Sequence, residues 1–600
     1  MKENYVSLRN LKFLLHEVFS AADLNRFERY SDYDREAFDM TLEAAVQIGD
    51  QYLFPIYREM DKNKAYFKDG VVYVHPALRE TYKAMADGGW ITAIDDYHAG
   101  GQQMPAILFN AGVFIFYAAN ANAASPTQLT VGAANLIKNF GSEQLKATYL
   151  PKMNTMEWQG TMALTEPQAG SSLSDLTSTA HPQPDGSYQI KGQKIYISAG
   201  DHNAVDNVVH LMLARITGAP AGTRGISLFV VPKYRPEAEG ELVYNDVATA
   251  GIYGKMGQKG YVAAHLMFGE QDSCTGYLVG EPHHGLSYMF QMMNEARIGT
   301  GLLSAGNISG AYYAALKYTH ERAQGRHPSN KDLSQEPVLI IEHADVRRML
   351  LLQKSILEGS IALLLQCSYY ADLLHVADGQ EKEEAHYLLE LLTPIAKSFP
   401  AEMGTVAISN AMQCLGGAGY TDDFPIEQYY RDIRINAIYE GTTTIHGLDL
   451  LGRKIPMAGG KPFSLFVREV QKTLDAALAV GGLEQDVSLL ATRLKALHEL
   501  TLHLMGIASQ EKPEVFLADA TLYLELFGLV TIGWQWLKQA VTAQQAMTET
   551  LSESELSFYA GKIQACAYFM EYELSKGLGL EQRLKSNRRI SLETPPSYIN

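Results

Sequence analysis

Between residues 36 and 160 the apolar positions recur at helical spacing. Phe38, Leu42, Ala45 and Ile48 share one face. Asn110 to Ala124 is rich in alanine and aromatic side chains, the composition of a helix buried on most sides. Ser142 stands as a cap before Glu143-Gln144-Leu145, and Pro151 closes that helix. Near residue 160 the period shortens. Ser187 to Ile190 and Lys194 to Ser198 alternate, which predicts a hairpin joined through Lys191-Gly192-Gln193. Val208 to Ala214 and Gly225 to Val231 read as apolar strands, punctuated by Asp185-Gly186 and Ala221-Gly222. Helical texture returns at about 284 and runs through Met289–Ala315 and His343–Leu374. The stretch from Pro456 to Pro462 interrupts it, with Ala458-Gly459-Gly460 between two prolines that cannot continue a helix ladder. Phe463–Leu478, Val487–Leu504 and Ser554–Leu574 then repeat helical spacing. The expected fold class is α+β, mainly α. Its parts are an extension at 1–35, a helical domain at 36–160, a β domain at 161–280, a helical bundle at 281–455 and a further helical domain at 463–600.

The 600 residues include 46% hydrophobic and 20% charged positions, enough apolar material for real cores. Fifty basic residues face 67 acidic ones, a formal charge of −17, which argues against a broad nucleic-acid surface. Four isolated cysteines make neither a disulfide scaffold nor a CxxC zinc site. The run Met1 to Tyr5 shows no secretory or transit character. The most apolar stretch, Val515 to Leu537, carries Asp519, Glu525 and Gln535. An acid at the centre of a spanning helix costs about 2.5–3.5 kcal/mol, so a buried helix is expected, with no membrane insertion and a cytoplasmic location. No GxGxxG follows a strand, no Walker sequence appears, and the spacing from His498 to His503 does not suit a metal, so no metal site is expected.

Four segments carry unusual residues. Thr165-Glu166-Pro167-Gln168-Ala169-Gly170-Ser171 opens the β region, and Tyr196-Ile197-Ser198 ends a strand. Gln413-Cys414-Leu415-Gly416-Gly417-Ala418-Gly419-Tyr420 follows a helix, and Tyr439-Glu440-Gly441-Thr442-Thr443-Thr444 precedes one. Singly, each reads as an ordinary turn, strand end or helix cap. Together, in this order, they resemble the acyl-CoA dehydrogenase family, flavoproteins that oxidise acyl-CoA thioesters. The likeness covers roughly 36–455. Tyr5 to Glu17 and the helical tail resemble the larger bacterial branch, which includes broad-range acyl-CoA and 3-(methylthio)propionyl-CoA dehydrogenases. The fold implied is an N-terminal helical domain, a middle β-barrel-like domain and a C-terminal helical bundle, here with an extra C-terminal helical domain.

The resemblance also implies roles. FAD is the cofactor. Glu440 matches the base that removes the weakly acidic α-proton of the thioester, and burial should raise its pKa. Thr165 and Ser198 match groups that bond the flavin ring, Met162 to Leu164 offer contacts at its edge, and Tyr196 takes the aromatic position beside it. Ser171 matches a residue near both the FAD phosphates and the CoA arm, while Thr442 and Thr444 lie at the adenine-diphosphate end. Arg322, Gln413 and Gly417 match cofactor contacts made across a subunit boundary, which implies a homodimer. Asn294 and Arg297 match the helix lining the CoA channel, and Gly441 falls beside the substrate. With a net charge of −17, Arg322, Arg297 and helix N-termini are expected to meet the phosphates. Electrons are expected to pass to an electron-transfer flavoprotein. An oxidase using oxygen shares the same half-reaction. A DNA-associated alkylation-response relative carries a basic C-terminal region; here only Arg583 to Arg589 is locally basic, so no nucleic-acid partner is expected. Three departures touch the phosphate end: Ser171-Ser172-Leu173-Ser174-Asp175 is shifted from the family form, the loop after Arg322 is short, and Thr444 stands where many relatives have Gln.

Overall fold

The computed structural model describes residues 5–600 apart from 238–239, 292, 330–331, 333, 548–549 and 587. Met1 to Asn4, and Asn587 within the basic cluster, therefore lie outside the described residues. The chain gathers into two compact units, one of residues 1–40, 105–111 and 297–600, the other of residues 41–104 and 112–296.

The second unit is built on an eight-stranded sheet. Its strands are β1 (Trp158–Ala163), β2 (Thr179–Pro182), β3 (Tyr188–Ser198), β4 (Asn207–Ile216), β5 (Ile226–Pro232), β6 (Val247–Ile252), β7 (Ala263–Phe268) and β8 (Thr275–Val279). The order is β6-β7-β3-β8-β5-β4-β1, with β2 joined to β3 and β4. β1 lies parallel to β4, Trp158 opposite Asn207, and β4 is antiparallel to β5. All of Asn207 to Ala214 is buried, which explains why this stretch reads as a continuous apolar run and not as an alternation.

The hairpin expected over 187–198 is replaced by one eleven-residue strand, β3. Its first part pairs with β2 and β8, Thr179 opposite Lys191 and Thr275 opposite Gln189, and its later part with β7, Ala263 opposite Ser198. Gly192 is the crossing point. A Cβ there would stand 2.3 Å from Ser178 Oγ, so glycine lets the strand pass its neighbour without turning back. A period of two, broken by a glycine, looks the same in both arrangements.

The first unit is helical, and its long helices include α1 (Met293–Glu321), most of which lies in this unit, α2 (Ala344–Val376) and α3 (Gly379–Leu415). The small residues of α1 allow close approach. A Cβ on Gly301 would lie 2.3 Å from the Ala396 carbonyl oxygen and 2.5 Å from Leu364 Cδ2. Gly301→Ala is expected to lower the thermal midpoint through an overpacking cost of about 1–3 kcal/mol. Calorimetry checks this, and an unchanged midpoint would show that α1 and α3 separate without cost. Among the described residues two helices are long and apolar enough to cross a membrane, Ala106–Phe140 and Ala344–Val376, and 89% of the apolar window of each is buried in the fold. The sequence singled out 515–537 instead; that stretch supplies much of the helix Ala520–Ala546, whose Trp534 and Trp536 are also buried.

The tail adds α4 (Lys461–Val480), α5 (Glu484–Gln510), α6 (Ala520–Ala546) and α7 (Glu553–Tyr568). The N-terminal extension and this tail bind each other. Arg9 donates to both carboxylate oxygens of Glu555, at 3.1 and 2.7 Å, and lies 4.1 Å over the Phe558 ring. The buried Lys562 ammonium bonds Asn10, Glu358 and Gln539. Phe13, Leu14 and Leu15 are fully buried.

Candidate active site

The residues implied by the sequence fall in both units. Met162, Leu164, Thr165, Ser171, Tyr196, Ser198 and Asn294 belong to the sheet-bearing unit. Arg297, Arg322, Gln413, Gly417, Glu440, Gly441, Thr442 and Thr444 belong to the helical one.

In the sheet-bearing unit the Thr165 turn is held from inside. Glu166 and Ala169 exchange backbone hydrogen bonds of 2.9 and 3.0 Å, which closes the turn. The Glu166 side chain points inward. It accepts from Lys194 Nζ at 2.8 Å, from the Thr177 amide at 2.7 Å and from the Ser178 amide at 3.1 Å. Both members of the ion pair are buried. Burial pushes the Lys194 ammonium down to about 8. On Glu166 the opposing attraction of Lys194 and the hydrogen-bond donors prevails over burial and holds the carboxyl at about 2. Lys194 also donates to the Leu164 carbonyl at 2.9 Å, and the Ile195 amide donates to the Thr165 carbonyl at 2.9 Å. The Leu164 carbonyl is therefore committed to the fold. Met162, Leu164, Thr165 and Ser198 are half-buried, Tyr196 is 59% exposed, and Ser171 is exposed. Tyr196 and Ala199 have φ of +59° and +47°, left-handed positions that residues other than glycine seldom adopt. Gln159 fixes the latter by donating to the Ala199 carbonyl at 2.8 Å. The strand end thus offers an outward aromatic ring and hydroxyls on rigid backbone, a donor set that fits one edge of a flat heteroaromatic cofactor such as the FAD ring.

In the helical unit Glu440 and Gly441 form a left-handed pair, φ +52° and +87°. A non-glycine residue there stores about 1–3 kcal/mol and persists only where its surroundings dictate it. The next residue, Thr442, caps α8 (Thr443–Asp449), its side chain accepting from the Ile445 amide. Glu440 is exposed to solvent, with protein packed around it. Burial pushes its carboxyl above the ordinary carboxylate range, against the pull of the Lys397 cation. Lys397, fully buried on α3, donates to the Gly441 carbonyl at 2.7 Å. His446 donates from Nε2 to the Glu440 carbonyl at 3.2 Å, and burial holds this imidazole neutral, down to about 3. The sequence reading missed Lys194, Lys397 and His446. None stands in a motif; Lys194 and Lys397 acquire their roles only when a distant element packs against them, while His446 lies on the helix that follows the Glu440 turn.

Arg297 is buried, and its guanidinium reaches Asp449 at 2.7 Å, so a carboxylate of the protein already faces its charge. Asn294 is half-buried. Arg322, Gln413, Gly417 and Thr444 are exposed. Arg322 lies just past the end of α1, where its carbonyl accepts from the Ile340 amide at 2.8 Å.

Four family models match the chain in order. They are described as acyl-CoA dehydrogenase N-terminal domain (35–157), middle domain (161–270) and C-terminal domain (283–455), and acetyl-CoA dehydrogenase C-terminal like (466–595). A 3-methylmercaptopropionyl-CoA dehydrogenase of Ruegeria pomeroyi is 34% identical over 94% of this chain and 95% of its own length. Among solved structures, Caenorhabditis elegans ACDH-11 in complex with C11-CoA matches with a TM-score of 0.76 at 18% identity, covering 99% of this chain and 96% of that one. An acyl-CoA dehydrogenase of Bacillus anthracis complexed with FAD matches with a TM-score of 0.69 at 20% identity, covering 95% and 91%.

Proposed function

Since the chain belongs to the acyl-CoA dehydrogenase family, whose cofactor is FAD, we propose that Glu440 is the base that takes the α-proton of an acyl-CoA thioester, giving a trans-2-enoyl-CoA. The observation that carries this reading is the Glu440 carboxyl itself: an acid on a constrained turn, its affinity for a proton raised by burial. When bound, FAD supplies the acceptor for the β-hydride. Thr165 and Ser198 would hold its ring, Tyr196 would flank it, and Met162 and Leu164 would line its edge. Thr442 and Thr444 at the start of α8, with Ser171, suit its phosphates. Arg322, Gln413 and Gly417 would complete the site of a second subunit, so the working form is a homodimer. The backbone amide of Glu440 would polarise the thioester carbonyl, in the manner of an oxyanion hole. Gly441 and Asn294 would border the substrate. Arg297 would shape the wall of that channel through Asp449 without pairing to CoA. The electron acceptor is an electron-transfer flavoprotein and the location cytoplasmic, the readings that fit this branch of the family.

The test is anaerobic mixing of the yellow holoenzyme with a panel of acyl-CoA thioesters of different chain length. Bleaching of the flavin by at least one, followed by reoxidation with an electron-transfer flavoprotein, is the expected result. Protein that cannot be loaded with FAD, or that no thioester bleaches, would overturn the assignment. Rapid reoxidation by air with release of peroxide would make the enzyme an oxidase.

A further inference from the structure

Resting on that reading, we propose that Lys397 and His446 are positioning residues for the catalytic peptide: they clamp the two consecutive carbonyls of Glu440 and Gly441 and so aim the carboxylate and the Glu440 amide.

The clamp closes from two helices. Lys397 reaches the Gly441 carbonyl from the interior of α3, and His446 reaches the Glu440 carbonyl from one turn into α8. Both side chains are almost wholly buried, at 0% and 1% exposure, so neither reaches its acceptor through water. The peptide they hold joins two successive left-handed residues, a conformation the chain would leave if released. Gly441 is matched to this arrangement. A Cβ on it would lie 2.9 Å from His446 Nε2 and would push the ring off its carbonyl.

Packing alone does not account for Lys397. Among the described residues its ammonium forms no direct ion pair; the acids that act on it at longer range are Glu440 and Glu402. Burying a cation without a contact counter-ion is costly, and a methionine would fill the same space without that cost. What the charge adds is a field at Glu440 that favours the carboxylate. The charged groups acting in this region are Lys397 and Glu402 from α3, Arg297 from α1, and Asp449 with the neutral His446 from α8. Glu402 is also engaged by the Thr443 hydroxyl, and Asp449 by Arg297 and Arg453. Lys397 is the cation that acts directly on the base.

The test compares Lys397→Met, Lys397→Gln, His446→Leu and His446→Gln as FAD-loaded enzymes. Flavin bleaching is followed by stopped flow at saturating acyl-CoA across pH, with FAD content and thermal midpoint measured on the same samples. Lys397→Met is expected to lower the saturating rate on the order of a hundredfold with little change in KM. Without the cation the carboxylate is less favoured, so the acidic limb of the rate profile should move up by about one pH unit. Lys397→Gln restores a donor without the charge; it should recover part of the rate and keep the shifted limb. His446→Leu should lower the rate without moving the limb, and His446→Gln should recover it. A wild-type limb in both Lys397 variants, or rate losses that only follow lost FAD or a lowered midpoint, would reduce both residues to packing and overturn the proposal. That outcome leaves the base assignment intact, because Glu440→Gln tests it separately. Wild-type enzyme that no thioester bleaches would remove the functional reading itself.

Discussion

Glu440→Gln is expected to fold, to bind FAD and to lose about 10²- to 10⁴-fold in the rate of flavin reduction. The amide has the shape of the acid and keeps the Lys397 and His446 bonds, which go to backbone carbonyls and not to the side chain. It cannot take a proton. The wild-type enzyme should show the matching pH dependence. Burial raises the Glu440 pKa, so the active carboxylate is present above that raised value and the rate falls as pH drops through it. Stopped-flow bleaching of both proteins checks the two statements together. Near-wild-type reduction by the Gln variant would remove Glu440 as the base.

Glu166→Gln should be the most damaging change in the sheet-bearing unit for stability. It leaves the Lys194 ammonium buried without a counter-charge, a cost of about 3–5 kcal/mol, and it loosens the Thr165 turn that Lys194 and Glu166 hold jointly. A lowered thermal midpoint with loss of FAD is the expected result. The companion double variant Glu166→Gln with Lys194→Met should recover much of the loss, because it removes both charges together. No recovery would mean that the turn needs the ions themselves. The pair also sets an acid limit. Glu166 is held at about 2, below its ordinary 4.5, so its contribution is complete above about 4.5 and disappears as pH falls towards 2.

The sequence made Glu440 legible because its signature is local: tyrosine, acid, glycine and threonine are consecutive and precede a helix. The sheet was legible for a similar reason, since alternation and apolar runs are written strand by strand. Partners were not. Lys397 lies 44 residues from Gly441 and Lys194 lies 28 from Glu166, and neither spacing has a period. The Arg297–Asp449 pair was not legible for the same reason, since an arginine on a helix reads alike in sequence whether it faces outward or, as here, a carboxylate on another helix. β3 misled because a strand that changes partners at a glycine keeps the hairpin's alternation.

The junction of the first helices with the tail concerns the order of synthesis. Arg9 meets Glu555, 546 residues later, and Asn10 meets Lys562, 552 later. On the ribosome, Phe13, Leu14 and Leu15 emerge long before the helices that bury them are translated. For most of that interval the nascent chain carries an apolar segment without its native cover, a vulnerability typical of contacts this distant in sequence. The same junction makes the N-terminal extension and the helix 553–568 parts of one interior, so a change in either removes contacts from the other.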